Sequence, residues 1–318
     1  MTLVRRSVAG IAATAIAAGL VVGGAGVAFA DPTGYPPAPR AMGSMQSRPY
    51  LPTLEGGAYA VDGSDLYVAD AEFHRVIKIV AGEDEPIPLP FTGLHSPAGV
   101  AVENGNVYVA DTRNNRVLAL LDGRPTQVVL PFDGLSAPSA IAVEDGTVYV
   151  ADTWNGRILA LREGDSAPTV LPFGQLDRPV HLAAEDGSVY VAELSGNRVV
   201  ELPSGTTTPV TLPFLADHQI AGLIVDNGDV YFLDFDSYWM SVPFGSLGQP
   251  PAEDTIRKVS AGESTPVALR FAGFRDPAVL SIENGSAYLV DGVGERVPTP
   301  LTTSPTGGSG SLRLPFGS

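Results

Sequence analysis

VYVADTRNNRVLAL, residues 107–120, reads as a strand, a tight polar loop and a returning strand, and it recurs along the chain. LYVADAEFHRVIKI (66–79), VYVADTWNGRILAL (148–161) and VYVAELSGNRVVEL (189–202) are plain copies. VYFLDFDSYWMSV (230–242) and AYLVDGVGERVPTP (287–300) are worn ones. Tyr67, Tyr108, Tyr149, Tyr190 and Tyr231 follow one another at intervals of 41 residues, and Tyr288 follows after 57. Self-similarity at such a period is the mark of a repeat architecture, in which one supersecondary unit stacks on its neighbours to bury a shared core.

Outward from the quoted stretch, each repeat reads as four short strands. In the second repeat these are residues 98–102 (strand a), 106–111 (b), 116–121 (c) and 127–132 (d). The runs are short, β-branched or aromatic and bounded by turn residues, with no sustained helical period. The a–b turns are Asn104-Gly105, Asp145-Gly146, Asp186-Gly187, Asn227-Gly228 and Asn284-Gly285, dipeptides suited to type I′ hairpins, with Gly63-Ser64 suiting type II′. Strand d carries Pro-Phe at 90–91, 131–132, 172–173, 213–214 and 315–316, and Arg270-Phe271 in the fifth repeat. Proline lacks an amide donor, which makes d the outermost strand. A period near 40 with four strands predicts an all-β, six-bladed β-propeller of four-stranded blades over residues 48–318. Leu312–Phe316 is the expected fourth strand of the last blade, with Arg48-Pro49-Tyr50 as an alternative closing strand.

The N-terminal region differs. Arg5 and Arg6 precede an apolar run from Val8 to Phe29, and Ala28-Phe29-Ala30 fits a leader cleavage site. Residues 1–30 are therefore expected to be a signal peptide, exported by the general or the twin-arginine route. Residues 31–47, rich in Pro, Gly and Ser, read as a disordered tether. The chain has no cysteine, so stability outside the cell has to come from its core. Net charge is −16 over 318 residues, and loss of Arg5 and Arg6 takes it to −18. Such a surface repels phosphate backbones and anionic headgroups, so neither nucleic acid nor membrane is an expected partner. The mature chain is expected to be a secreted or envelope-associated monomer.

The pattern GVAV–x–G–NVYVADTxNNRV resembles the NHL-repeat propellers, over residues 48–318 and most strongly between 96 and 214. Val-Leu-Pro-Phe followed by Gly-Leu and Pro, residues 129–138, resembles more narrowly the extracellular sensor of mycobacterial receptor serine/threonine kinases of the PknD type. That resemblance implies an exported actinobacterial sensor-like domain. No kinase is implied, since the chain has no glycine-rich phosphate loop and no His-Arg-Asp loop.

A carboxylate stands five positions before an arginine in five repeats: Asp70/Arg75, Asp111/Arg116, Asp152/Arg157, Glu193/Arg198 and Asp291/Arg296. A catalytic pair is normally unique, so this repetition points to hairpin braces, which contribute about 0–1 kcal/mol each when exposed and more if the geometry is bidentate and shielded. A second ring of acids, Asp62, Glu103, Glu144, Glu185, Asp226 and Glu283, begins the a–b turns and reads as solvated charge. His95 and His218 share one repeat position three blades apart, on opposite sides of a six-membered ring, so one metal ion does not reach both. His181 takes the strand-a position of Gly99 and Gly222, near Asp177 and His218, and is placed at the channel mouth. The fifth repeat retains Asp234 but has Trp239 where the arginine belongs. Its b–c loop is longer than the others and carries Asp236, Tyr238 and Trp239. With Trp154 at another loop tip, these residues predict a ligand face.

The reading that follows is an exported binding or interaction module, sensing or scaffolding in the cell envelope, with a protein, peptide or envelope glycan as partner. A propeller lyase or hydrolase at the channel mouth is the alternative, and a structural scaffold without a small ligand is a third. No catalytic residue, metal or cofactor is assigned, because none of the usual catalytic motifs matches.

Overall fold

The structure is a computed structural model and describes residues 18–22, 58–63, 65–80, 83, 85–122, 124–214, 216, 219–235, 255–269, 278–283, 286–290 and 296–298. It is an all-β propeller of four-stranded antiparallel blades. The first repeat contributes Ala58–Asp62, Asp65–Asp70, Arg75–Ile79 and Ile87–Pro88 as strands a to d. The second contributes Gly99–Glu103, Asn106–Asp111, Arg116–Leu120 and Val128–Val129. The third has Pro138–Glu144, Thr147–Asp152, Arg157–Arg162 and Thr169–Val170. The fourth has Pro179–Glu185, Ser188–Glu193, Val199–Leu202 and Val210–Thr211. The fifth has Gln219–Asp226, Asp229–Phe235, Thr255–Val259 and Val267–Leu269. Asp234 faces Thr255 across its b–c pair. The sixth has Ala278–Glu283, Ser286–Val290 and Arg296–Pro298.

Among the described residues these strands form five sheets, where the repeat count predicts six. Repeats two to five are separate four-stranded sheets. Repeats one and six join into an eight-stranded sheet because Ala18–Val22 pairs antiparallel with strand a of both. Strand d is also shorter than predicted. Leu130 still donates to the Val117 carbonyl at 3.0 Å, and the register turns position 131 to the outer edge, where a proline removes no ladder bond. Pairing stops at the next inward amide, because Phe132 turns back to donate to Leu130 at 2.8 Å.

The a–b turns take positive φ at both central residues, as type I′ requires: 50° and 76° at Asn104-Gly105, 46° and 71° at Asp145-Gly146. The hydrophobic core lies between blades. Phe132 packs with Tyr108 and Ala119 of repeat two and with Ile141 and Val150 of repeat three. Phe173 and Phe214 repeat this role at the next two seams.

The acids that begin the a–b turns are not simply solvated, contrary to the sequence reading. Glu103 accepts from the Gly146 N–H at 2.9 Å, and Glu144 from the Gly187 N–H at 3.1 Å. Glu185 accepts from Asn227 and Gly228 at 2.7 and 2.8 Å. Each glutamate thus latches its blade to the turn of the next. A carboxylate satisfies the two orphan amides that a tight turn aims outward. Burial raises the pKa of Glu144, against the opposing pull of those amide hydrogen bonds.

Candidate functional site

The b–c loops and the d–a linkers share one face. Arg113 donates its N–H to His95, Trp154 to Ser136 and Leu194 to Arg178, each at 3.1 Å. The opposite face carries the a–b and c–d turns, with Glu103, Glu144, Asp145, Glu163, Glu185 and Asp186, so negative charge is concentrated away from the loops.

Buried carboxylates hold the loop face together. Asp152 is 0% exposed. Its Oδ2 accepts from Asn155 Nδ2 and Arg157 Nε, and its Oδ1 from the Ser136 N–H, all at 2.7 Å. Arg157 Nη2 and Asn155 Nδ2 also donate to the Gly134 carbonyl, at 3.2 and 2.9 Å. Asp111 repeats the arrangement with Asn114, Arg116 and the His95 N–H. Glu193 pairs with Arg198 and accepts from the Asp177 N–H at 2.7 Å. Asp70 accepts from Arg75 Nε at 2.9 Å and from the Phe73 N–H at 3.0 Å. These are the shielded form of the hairpin brace: the acids are buried and each ties a loop to its blade, so breaking one costs more than breaking a surface pair. Asp291 lies outside the described residues, as does the Arg296 side chain.

The loops themselves are short 3-10 turns, Thr112–Asn114 and Thr153–Asn155, each closed by a left-handed residue, Asn115 (φ 52°) or Gly156 (φ 62°). That geometry lifts Trp154 out of the surface, leaving it 73% exposed. Its neighbour Thr153 points inward. Thr153 Oγ1 donates to the Pro179 carbonyl at 2.9 Å and lies 2.5 Å from Ser139 Oγ. Pro179 begins the strand that carries His181, and a bulge separates the two. The structure therefore joins the Trp154 turn to the His181 strand through Thr153 and Ser139. Sequence reading missed both hydroxyls, since Ser and Thr at a loop edge carry no distinguishing signal.

His181 is half-buried opposite Ala192. Burial pushes its imidazole down to about 4, against the opposing effect of a hydrogen bond with the Ile220 backbone. The ring is thus neutral at physiological pH. A histidine whose folded pKa is depressed binds fewer protons than the unfolded chain, so its stabilising effect is complete above about pH 6.5 and is lost as pH falls toward about 4. Replacing His181 by asparagine should flatten the loss of stability over that window by about 2 kcal/mol in urea unfolding. Equal slopes for parent and variant would refute the buried neutral ring.

Asp177 lies in the linker before that strand, with its carboxylate largely in solvent and 3.6 Å from Arg178 Nε. Among the described residues no group of three or more His, Asp or Glu is arranged to hold a metal ion. His218, Asp236, Tyr238 and Trp239 lie outside the described residues. A feature absent from the sequence reading is the approach of His74 and His95, whose ring centroids are 5.1 Å apart.

Comparison with known proteins gives the fold. The NHL-repeat family model matches residues 94–120, which span the end of one linker and three strands of the second repeat. No curated protein sequence matches the chain. Among solved structures, a streptogramin B lyase superposes with a TM-score of 0.51 at 13% identity, covering 75% of this chain and 84% of the lyase. Selenomethionine-substituted virginiamycin B lyase from Staphylococcus aureus superposes with a TM-score of 0.53 at 15% identity, over 77% of this chain and 80% of that one. At such identity the likeness is one of fold, and function has to be argued from the site.

Proposed function

We propose that this chain is an exported propeller acting as a binding module, with its ligand meeting the face of b–c loops and d–a linkers. The observation that carries this reading is Trp154. A large aromatic stands 73% exposed on a turn whose backbone is fixed by Ser136, Asp152 and Thr153. A rigid, exposed indole loses little freedom on binding, and such anchors dominate interface energies. Asp177 and His181 border the same face, and the sequence places His218, Asp236, Tyr238 and Trp239 there as well. The partner class is a protein, a peptide or an envelope glycan, in line with the resemblance to PknD-type sensors.

Export completes the reading. Removal of residues 1–30 takes away Ala18–Val22, the strand that joins repeats one and six. The eight-stranded sheet then divides, and the mature ring has six blades, with Leu312–Phe316 as the outer strand of the last. A second reading, a lyase or hydrolase at the channel mouth, draws on His181, on the strand whose Pro179 carbonyl accepts from Ser139 and Thr153. A base with a pKa of about 4 is poorly matched to proton abstraction at neutral pH, which ranks it below binding.

The test uses protein from culture medium, whose N-terminus should be Asp31. It is screened against envelope glycans and peptides, together with Trp154→Ala and a variant whose 235–254 loop is shortened to the Asp-Thr-Arg-Asn-Asn-Arg of repeat two. Ligands of the parent should bind Trp154→Ala at least about tenfold more weakly with no change in melting temperature. A ligand bound equally by all three proteins would place the binding surface elsewhere.

A further inference from the structure

We propose that the seam between the first and second repeats carries a pH-operated clasp, in which protonation of His74 releases the strained linker residue Ser96. Three d–a linkers turn through a non-glycine residue in the left-handed region: Ser96 (φ 48°), Ala137 (φ 47°) and Arg178 (φ 50°). A β-carbon disfavours that conformation, and it persists where neighbours over-determine it. At the second seam the neighbour is Asn115, whose Oδ1 accepts from the Ala137 N–H at 2.8 Å. At the first seam the corresponding loop residue is His74, itself at φ 55°. Its Nδ1 accepts from the Ser96 N–H at 3.0 Å.

The two clasps perform one backbone task with different chemistry. An amide oxygen accepts at any pH. An imidazole nitrogen accepts only while it is unprotonated. With Nδ1 as acceptor, the single proton of neutral His74 sits on Nε2. That tautomer leaves no lone pair facing outward, so the His74–His95 pair is not a ready metal chelate. A second proton converts Nδ1 into a donor facing the Ser96 N–H, and attraction becomes repulsion. The new charge also arrives beside His95, whose ring is 5.1 Å away at 84°.

The surrounding charged groups are few. On the His74 turn they are Glu72 and Arg75, the latter bonded to buried Asp70 at 2.9 Å. From the second repeat, Asp111 accepts from the His95 N–H at 2.7 Å, and Arg113 donates its N–H to the His95 carbonyl at 3.1 Å. Asp70 and Asp111 are each already paired with an arginine, which offsets their charge. The clasp is closed while Nδ1 keeps its lone pair and opens once it gains a proton, so acidification favours the open form. The linker around Ser96 lies on the loop face, and mild acid therefore loosens one sector of that face while the Ala137 sector keeps its bond.

Amide exchange of the intact protein, measured by NMR at about pH 7.5 and 5.5 and corrected for intrinsic rates, tests this directly. Ser96 should lose protection about fivefold or more relative to Ala137 on acidification. In His74→Asn, which copies the second seam, Ser96 should follow Ala137 at both pH values. The proposal is overturned if Ser96 and Ala137 respond alike in the parent, or if His74→Asn retains the acid-dependent loss at Ser96.

Discussion

Replacing Asp152 by alanine should lower the free energy of unfolding by about 3–5 kcal/mol. The carboxylate is fully buried and accepts from Asn155, Arg157 and the Ser136 backbone, each at 2.7 Å. Alanine removes the acceptor for all three. The Arg157 guanidinium, about two-thirds shielded, keeps its charge without the partner that offset it. The partly buried Ser136 amide, at the neck of the linker, is left without its bond, at a cost below the about 1–3 kcal/mol of a fully buried unmet donor. Asp152→Asn should fall between the two, since one oxygen still accepts from Ser136 while the charge is lost. Asp177→Ala, whose carboxylate is exposed, should change stability by less than about 0.5 kcal/mol. Urea unfolding of the three variants checks the order. If Asp152→Ala unfolds with the midpoint of Asp177→Ala, the brace is a surface pair after all.

Gly156→Ala should cost about 2–4 kcal/mol, the second largest effect expected. Two independent reasons add. The residue closes the Thr153–Asn155 turn at φ 62°, where an L side chain is strained. A β-carbon there would also lie 2.5 Å from the Leu176 carbonyl oxygen and overlap Gln175 Nε2. The glutamine can swing aside, but the carbonyl belongs to a linker held by the Leu176 N–H donating to the Gly156 carbonyl at 2.9 Å. The control is Gly146→Ala. That residue has a similar φ of 71°, but its added β-carbon would meet only the flexible Glu163 side chain at 3.4 Å. Strain acts on both variants and overlap on Gly156 alone, so thermal unfolding should separate them. Equal melting temperatures would mean that the linker yields freely at Gly156.

Much of the fold was legible because its signals are local. An Asp-Gly or Asn-Gly pair between β-branched runs calls for positive φ at both residues whatever surrounds it, and Asp145-Gly146 adopts it. Pro131 marks the outermost strand because it has no amide hydrogen to offer a further neighbour, a fact of its own covalent structure. The candidate site was less legible. Trp154 drew attention as an indole at a loop tip, yet Thr153 beside it and Ser139 in the first strand of the same blade looked like ordinary loop-edge residues. Their role depends on the Pro179 carbonyl of a different blade, 26 and 40 residues along the chain.

The sequence by itself determined the repeat unit, its four strands, the a–b turns, the outermost position of strand d and the shared face of the b–c loops and linkers. Each of these follows from backbone conformational preference or from periodicity within one unit. Tertiary structure alone decided how charge is used. Asp152 and Asp177 are the same side chain in sequence, but one is sealed under a linker and the other faces water. Glu103 and Glu144 read as solvent-facing acids until the next blade brings its turn amides to them. His74 and His95 are 21 residues apart, and the stacking of two blades brings their rings together. The number of sheets also lay beyond local signals, because the joining of repeats one and six depends on Ala18–Val22, a segment outside the repeat pattern. Desolvation and hydrogen-bond satisfaction depend on which groups converge from distant parts of the chain, and a periodic sequence specifies the unit more directly than the contacts between units.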